Sequence, residues 1–188
     1  FFKQKTAYEM TSYVAFYNFG DVGQNEDDRI VSGYKYEGVV VPQIQYLSNN
    51  RSIALKDNGF TIYQGSQIPK EVKTIETDKE IVSTFYDDDM VGLVFKNDSK
   101  DKQYIMEVYN TADGKLKFKE DFNIPYTTIK LSGGNILMYN SSQMCVMNSR
   151  GVQKYLGSVD GTIKDFFKIG MNRYLLVLDS GVDVIKLS

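Results

Sequence analysis

Two short acidic runs carry the residue types most suited to chemistry in this sequence. Asn25-Glu26-Asp27-Asp28 and Asp87-Asp88-Asp89 supply the oxygen atoms that bind hard cations such as Ca²⁺. Calcium loops alternate such ligands with spacer residues and a glycine, and these runs do not. We therefore interpret both runs as solvated polar loops, and their residues remain candidate cation ligands: Asn25, Glu26, Asp27, Asp28, Asp87, Asp88 and Asp89.

The composition excludes the commonest catalytic machinery. The 188 residues include no histidine and a single cysteine, Cys145, so Ser–His, Cys–His and His-ligated zinc mechanisms and an internal disulfide are excluded. The chain has 22 Lys and Arg against 24 Asp and Glu, a net charge of −2, and without a basic surplus we predict no nucleic-acid binding. Gly20-x-x-Gly23 lacks the Gly-Lys-Ser/Thr ending of a phosphate loop. We predict no cofactor.

Three further groups have both a chemical and a structural interpretation. Lys115, Lys117 and Lys119 form a basic stripe that suits an anionic partner, but the same charges protect an edge strand from pairing. Cys145 lies between two apolar residues, which favours a buried, inert thiol over a nucleophile. Several tyrosines have the chemistry to stack on sugars or peptides, yet they fall at strand positions and we favour packing in the core: Tyr34, Tyr36, Tyr46, Tyr63 and Tyr109.

The elements that position these residues are predicted by the stretch from Met90 to Phe122. It contains an apolar strand, a mixed strand and a third in which lysines alternate with Leu116 and Phe118, which predicts one apolar and one cationic face. Asn110 to Gly114 supplies the Asn, Asp and Gly of a tight hairpin turn. A buried, a middle and a charged outer strand in succession form a meander, which is the unit of a β-propeller blade.

This unit recurs along the chain. Ala54, Leu93, Leu137 and Leu176, aligned as the buried strands, lie 39, 44 and 39 residues apart, close to the ~40–45-residue period of propeller blades. An irregular β-sandwich is the alternative. We predict an all-β, β-propeller-like fold with four-stranded antiparallel meander blades, about four blades forming a partial propeller. The single domain, 1–188, would have blades at about 43–78, 81–122, 127–159 and 162–188, with 11–37 as a partial blade.

The strand count predicts an incomplete ring. The last unit lacks an outer strand, so either Arg29 to Glu37 pairs beside Val182 to Leu187 and closes a small ring, or the ring stays open. In the second case two copies, or a missing N-terminal half, supply the remaining blades. Position within a blade further predicts that the lysines of the outer strand are exposed and that six apolar residues are nearly inaccessible: Leu55, Leu93, Val94, Leu137, Leu176 and Val177.

One stretch of the sequence resembles a known family. Phe16-Tyr17-Asn18-Phe19-Gly20-Asp21-Val22-Gly23, followed by Asp28 to Tyr34 and Val41-Pro42-Gln43-Ile44, is similar to an uncharacterised Gram-positive family of membrane-anchored, extracytoplasmic, propeller-like proteins. The resemblance covers most of Tyr13 to Ser188 and implies the C-terminal half of a longer protein. Its membrane anchor would lie in a segment outside this chain, whose start at Phe1 agrees with that expectation. The resemblance implies no catalytic residues.

Two classes of function follow from these observations. The first is a non-catalytic cell-surface binding or scaffolding propeller, whose partner would be a protein or a cell-envelope ligand. A homodimer is one expected state of such a propeller. The second is a carboxylate-based hydrolase acting on surface glycans, which needs two Asp or Glu side chains roughly 5–10 Å apart across a cleft. We favour the first, because the sequence shows no nucleophile–base set.

Overall fold

The computed structural model describes residues 10–18, 20, 29–98 and 101–187, and their regular structure is entirely β. No helix in these ranges is long and apolar enough to cross a bilayer. The chain divides into two compact units. The first holds the described residues up to Ile81 together with Asn110–Lys115, and the second holds Val82–Tyr109 and the described residues from Leu116 onward.

The first unit contains a hairpin and a four-stranded meander. The hairpin pairs β1 (Thr11–Tyr17) with β2 (Ile30–Glu37) in antiparallel orientation. The meander runs in chain order through β3 (Gln43–Leu47), β4 (Arg51–Lys56), β5 (Gly59–Gln64) and β6 (Lys70–Glu76).

Turn chemistry explains the connections of this meander. Asn49 and Asn50, with φ of 58° and 56°, join β3 to β4, in the left-handed region that asparagine tolerates. Asp57 and Asn58 join β4 to β5, and Gly59, the first residue of β5, has a φ of 144°. Both connections therefore carry residues that favour tight turns.

The second unit continues the pattern. One sheet runs β7 (Ile81–Tyr86), β8 (Met90–Lys96), β9 (Tyr104–Asn110) and β10 (Leu116–Phe122). The next runs β11 (Thr128–Ser132), β12 (Asn135–Tyr139), β13 (Gln143–Met147) and β14 (Gln153–Ser158). The last has three strands, β15 (Ile163–Gly170), β16 (Arg173–Leu178) and β17 (Val182–Lys186). The prediction of four-stranded meanders starting near Gln43, Ile81 and Thr127 is confirmed.

Each unit has its own hydrophobic cores. In the first unit the hairpin contributes Val14 and Phe16, which pack with Ala54 and Tyr63 of the meander. In the second unit one cluster joins β7–β10 to β11–β13 and includes the buried Cys145. A further cluster joins β12 and β13 to β15 and β16 around Phe166 and Tyr174. Sheets that bury their apolar faces against neighbouring sheets are the basis of all-β domains.

The burial predictions are confirmed with one exception. Leu55, Leu93, Val94, Leu137 and Leu176 are at most 3% exposed, and the three lysines of the outer strand are exposed. Val177, predicted to be inaccessible, is half-buried. In β16 only Tyr174 and Leu176 are buried, because they point into the core cluster while the alternate residues lie on the other face. The continuous apolar run of β16 therefore does not indicate a strand that is covered on both faces.

The predicted apolar face of the outer strand β10 is also only partly correct. Phe118 packs against the core cluster of its sheet, but Leu116 is 51% exposed. The pairing register with β9 shifts between Leu116 and Phe118. Such an irregularity breaks the simple alternation of faces along a strand, so these two residues do not share one face.

Of the two alternatives for the ring, pairing of Arg29 to Glu37 beside Val182 to Leu187 does not occur among the described strands. The sheet that contains β17 has three strands, and β2 is not among them. Residues Ile30–Glu37 form β2, which pairs with β1. The hairpin with β1 occupies one edge of β2, and pairing of its other edge with β17 would have to close a loop of most of the chain, which costs more loop-closure entropy.

Candidate functional site

The acidic run between β7 and β8 forms a turn. The Asp87 Oδ1 atom accepts hydrogen bonds from the backbone N–H groups of Asp89 at 2.9 Å and Met90 at 2.8 Å, as in an Asx turn. Within the described ranges no three acidic, Cys or His side chains converge to hold a metal ion. The other candidates, Asn25, Glu26, Asp27 and Asp28, lie outside the described residues.

A pocket of about 420 Å³ lies in the first unit. Its walls come from the end of β1, from β3, from the turn before β4 and from the loop that joins β5 to β6. Volumes of roughly 300–1,000 Å³ are typical of sites for small ligands. Because β1, β2, the stretch from Tyr46 to Ser52 and the loop after β5 are separated in sequence and together line it, alternation patterns and motifs give no sign of this pocket.

Aromatic rings form one wall of the pocket. Phe16 is 3% exposed and packs edge-to-face against Tyr46, with ring centroids 6.4 Å apart and an interplanar angle of 79°. Tyr46 itself is 68% exposed, and Tyr17 at the end of β1 is 47% exposed. The interpretation of Tyr46 as a core tyrosine is therefore wrong, because its strand β3 lies at the edge of the sheet.

A tyrosine network supports the wall from behind. The Tyr34 hydroxyl donates to the Pro69 carbonyl oxygen at 2.9 Å, and the Ser32 hydroxyl donates to the same oxygen at 2.9 Å. The Tyr36 and Tyr63 hydroxyl groups form a hydrogen bond with each other. Burial is the main cause that raises the pKa of Tyr63, and this hydrogen bond is the second. The network fixes the start of β6 against the hairpin.

The remaining lining is uncharged and mostly polar, with Val31 and Pro69 as its apolar members. It includes the amides of Asn18, Asn50 and Gln67 and the hydroxyls of Ser52 and Ser66. The Asn18 Oδ1 atom accepts a bond from the Gly20 N–H at 2.9 Å, and the Asn50 carbonyl accepts one from the Gly65 N–H at 2.9 Å. Among the described residues that line the pocket none is acidic or basic. The site is therefore suited to a neutral ligand with hydroxyl or amide groups.

The first unit also buries a lysine that the sequence did not single out. The Lys56 side chain is fully buried, and its Nζ atom lies 3.0 Å from Glu76 Oε1 and 5.1 Å from the Tyr36 ring centroid. Gly59 pairs with both Lys56 and Glu76 in the sheet. Because Gly59 has no side chain, nothing at this position separates the side chains of Lys56 and Glu76.

Replacing Glu76 with glutamine is expected to lower the free energy of unfolding by about 1–2 kcal/mol, because the buried ammonium group loses its carboxylate. Glu76 is 60% exposed, which reduces the effect through solvent screening. Lys56→Met, which removes the buried charge and keeps the packing, should cost less. Urea denaturation compares the two, and a larger loss for Lys56→Met would contradict this account.

A second charged cluster links β11, β12 and β15 in the second unit. Asp165 accepts hydrogen bonds from the Lys130 ammonium group, from the Tyr139 hydroxyl at 3.0 Å and from the Phe166 N–H at 2.7 Å. Burial acts to raise the pKa of Asp165, but these bonds outweigh it and hold the pKa below its ordinary value. Burial and the bond to Asp165 raise the pKa of Tyr139 to about 12. With its partners satisfied, the cluster is a structural link.

We expect the contribution of Asp165 to stability to disappear in acid. Because folding lowers its pKa, the stabilisation is present above the unfolded pKa, about 4, and is lost as the pH falls through the folded value. The difference in unfolding free energy between the natural chain and Asp165→Asn should therefore be positive at pH 7 and shrink below about pH 4. Denaturation at several pH values measures it, with the exposed Asp160→Asn as control; a difference that is constant with pH would contradict the prediction.

Cys145 is fully buried in β13, and burial raises the pKa of its thiol to about 12. The predicted burial of Cys145 is confirmed; because the thiolate is the reactive form, a raised pKa disfavours reactivity, and inertness stays a prediction.

A family of unknown function, DUF5711, matches residues 5–187. The chain belongs to this family. No curated protein matches the DUF5711 chain in sequence.

Solved structures similar to the DUF5711 chain show its fold. The WD40 domain of SCAP from fission yeast matches with a TM-score of 0.56 at 12% identity, over 79% of this chain and 42% of that one. The WD40 beta propeller domain of Doa1 matches with a TM-score of 0.50 at 10% identity, over 78% of this chain and 51% of that one. BamB from Moraxella catarrhalis matches at 0.50 and 11% identity, over 89% and 46%. The fold is β-propeller-like, and the chain spans about half the length of these structures.

Proposed function

We propose that this chain is a non-catalytic binding domain whose ligand occupies the pocket of the first unit. The observation that carries the proposal is an exposed ring, Tyr46, fixed on the buried ring of Phe16 and facing uncharged amides and hydroxyls. Pockets that combine an apolar surface with a few oriented polar groups are the general form of small-ligand sites. A propeller-like fold supports a binding or scaffolding role without specifying the ligand.

The hydrolase alternative needs a different arrangement. A glycosidase requires two carboxyl groups on opposite sides of the scissile bond. The described lining of the pocket supplies amides and hydroxyls and no carboxylate. These groups bind a hydroxyl-bearing ligand without providing the acid and base of hydrolysis.

Nuclear magnetic resonance tests the proposal. The isotope-labelled chain is mixed separately with neutral tetrasaccharides and with uncharged tetrapeptides, and backbone amide shifts are mapped. We expect shifts concentrated at Tyr46, Asn50 and Gln67, and a ligand spectrum that is unchanged after a day. Shifts that map only to other surfaces would refute the pocket as the binding site, and cleavage of the ligand would support the hydrolase instead.

We further propose that the domain acts outside the cytoplasm, attached to the membrane through a segment that is not in this chain. The resemblance of Phe16 to Gly23 and the stretches after it to an extracytoplasmic family supports this placement. Protease treatment of intact cells that produce the full-length, tagged protein tests it. Loss of the tagged domain is expected while a cytoplasmic marker survives, and protection of the domain until lysis would refute the placement.

The edge strand β17 supports association of two copies. Val182 and Val184 are 59% and 52% exposed on the outer strand of a three-stranded sheet, and such edges pair with further strands. Two copies would together match the length of one related propeller, since each spans about half. We expect light scattering to show a dimer that Val184→Lys weakens; a monomer at tens of micromolar would refute this association.

A further inference from the structure

We propose that the pocket of the first unit binds a neutral saccharide, with Tyr46 as the stacking platform. The inference rests on the proposed binding function and names the chemical class of its ligand. It follows from three properties of the pocket: a preset aromatic ring, polar groups that both donate and accept hydrogen bonds, and the absence of charge among the described lining residues.

The aromatic ring is presented before any ligand arrives. Tyr46 pairs with Ser52 across β3 and β4, so its backbone is fixed by the sheet. Its ring packs edge-to-face on Phe16, which in turn contacts Tyr63 at a centroid distance of 5.1 Å. With 68% of Tyr46 exposed, much of its surface is free for a ligand. The apolar C–H face of a sugar ring suits such a surface, and little conformational entropy is lost on binding.

The polar groups match a ligand rich in hydroxyls. An amide both donates and accepts hydrogen bonds, and so does a serine hydroxyl, as each sugar hydroxyl does. Asn50 and Gln67 are exposed at the rim, whereas Ser52 is 2% exposed at the base of the pocket. Polar groups at different depths can hold the edge of a ring whose face rests on Tyr46.

The charge balance argues against ionic ligands. A carboxylate, phosphate or ammonium group that enters a pocket loses hydration, and only a counter-charge or several directed hydrogen bonds offset that loss. The described lining contains no such counter-charge. A volume of about 420 Å³ lies in the range of small-ligand pockets, with room for a short segment of a neutral glycan.

Titration with defined oligosaccharides tests the inference. The probes are cellotetraose, maltotetraose and chitotetraose, with tetragalacturonate as an acidic counterpart, and calorimetry or saturation-transfer resonance measures binding. We expect at least one neutral probe to bind and tetragalacturonate to bind at least about tenfold more weakly, a difference of the size that an uncompensated charge produces.

Two tyrosine variants separate stacking from general surface effects. Tyr46→Ala is expected to weaken binding of the neutral probe by about tenfold, whereas Tyr46→Phe should keep most of it. Tyr13 is 70% exposed on β1 of the same unit and does not line the pocket, so Tyr13→Ala is the matched control and should change binding less than about twofold. Both side chains are exposed, so circular dichroism should show that both variants are folded, with a slightly lower unfolding midpoint for Tyr46→Ala because it loses the ring contact with Phe16.

The outcomes distinguish this inference from the function on which it rests. The neutral tetrasaccharides are tested up to about 10 mM, which detects even a weak site. If uncharged tetrapeptides shift the resonances of the pocket residues and no neutral tetrasaccharide binds, the saccharide inference fails and the binding pocket stands. Binding that Tyr46→Ala leaves unchanged, or that is as tight for tetragalacturonate, also overturns it. If every probe shifts only residues elsewhere, both proposals fail.

Discussion

Replacing Gly59 with alanine is expected to lower the free energy of unfolding by about 3–5 kcal/mol. A Cβ atom at this position would lie 2.0 Å from the carbonyl oxygen of Ile75. That oxygen belongs to the backbone of β6, which pairs with β5 at Gly59 and Phe60, so it cannot move without disturbing the ladder. The φ of 144° adds strain for any residue with a side chain.

Gly181 separates these two effects. It has a φ of 153°, close to that of Gly59, but a Cβ atom there would meet nothing within 4 Å. Gly181→Ala should therefore lower the free energy of unfolding through backbone strain alone, by about 1–2 kcal/mol. Denaturation with urea, followed by far-ultraviolet circular dichroism, measures both variants under the same conditions.

The comparison has a clear contradicting outcome. If Gly181→Ala costs as much as Gly59→Ala, backbone strain alone accounts for the loss and the close approach of Ile75 contributes nothing. The same measurement bears on the buried ion pair, because Gly59 lies between Lys56 and Glu76 in the sheet. The loss of unfolding free energy for Gly59→Ala combined with Glu76→Gln should then differ from the sum of the two single changes, since the residues are neighbours.

Local chemistry explains why much of the fold was predictable. The Asn49-Asn50 and Asn58-Gly59 turns carry residues that tolerate positive φ, and alternation or continuous apolar character marks the strands between them. The interval between buried strands then predicts the meander repeat. None of these signals depends on contacts between residues far apart in the sequence, so one sequence is enough to detect them.

The predictions of side-chain exposure fail where contacts between residues far apart in the sequence determine it. Tyr46 and Tyr63 are the same residue type at similar strand positions, yet one is 68% exposed and the other fully buried. The difference is that β3 is an edge strand while β5 is interior. The exposure of Leu116 depends on a register shift that its own residue type does not determine. Position in the sheet and pairing register are properties of several strands together.

The candidate site is even harder to predict from a sequence pattern than the exposure of a side chain. Its walls come from β1, β3, the turn at Asn50 and the loop before Pro69, and each segment by itself has an ordinary strand or turn composition. The acidic runs, by contrast, are conspicuous in sequence, and the one described here serves its own turn through Asp87. Clustered charge in a loop is a weaker indication of a ligand site than convergence in space.

The adjacent pair Phe166 and Phe167 shows the same limit in its simplest form, because the sequence does not say which ring is inside. In the structure Phe166 is fully buried, with ring centroids 5.4 Å from Tyr174 and 6.3 Å from Tyr139. Phe167 is half-buried, and its ring centroid lies 5.8 Å from the Lys130 Nζ atom. Neighbouring residues of a strand point to opposite faces, so one ring belongs to the core and the other to the surface.

Phe166→Ala is accordingly expected to lower the free energy of unfolding by about 3–5 kcal/mol, since it removes a buried aromatic ring and leaves a cavity in the cluster of the second unit. Phe167→Ala, the same change one residue along, should cost about 1 kcal/mol, because it removes partly exposed surface and one contact with a cation. Urea denaturation followed by circular dichroism compares the pair. Equal losses would mean that both faces of β15 are covered, as in the blade of a closed propeller, and a larger loss for Phe167→Ala would place the wrong face of β15 in the core.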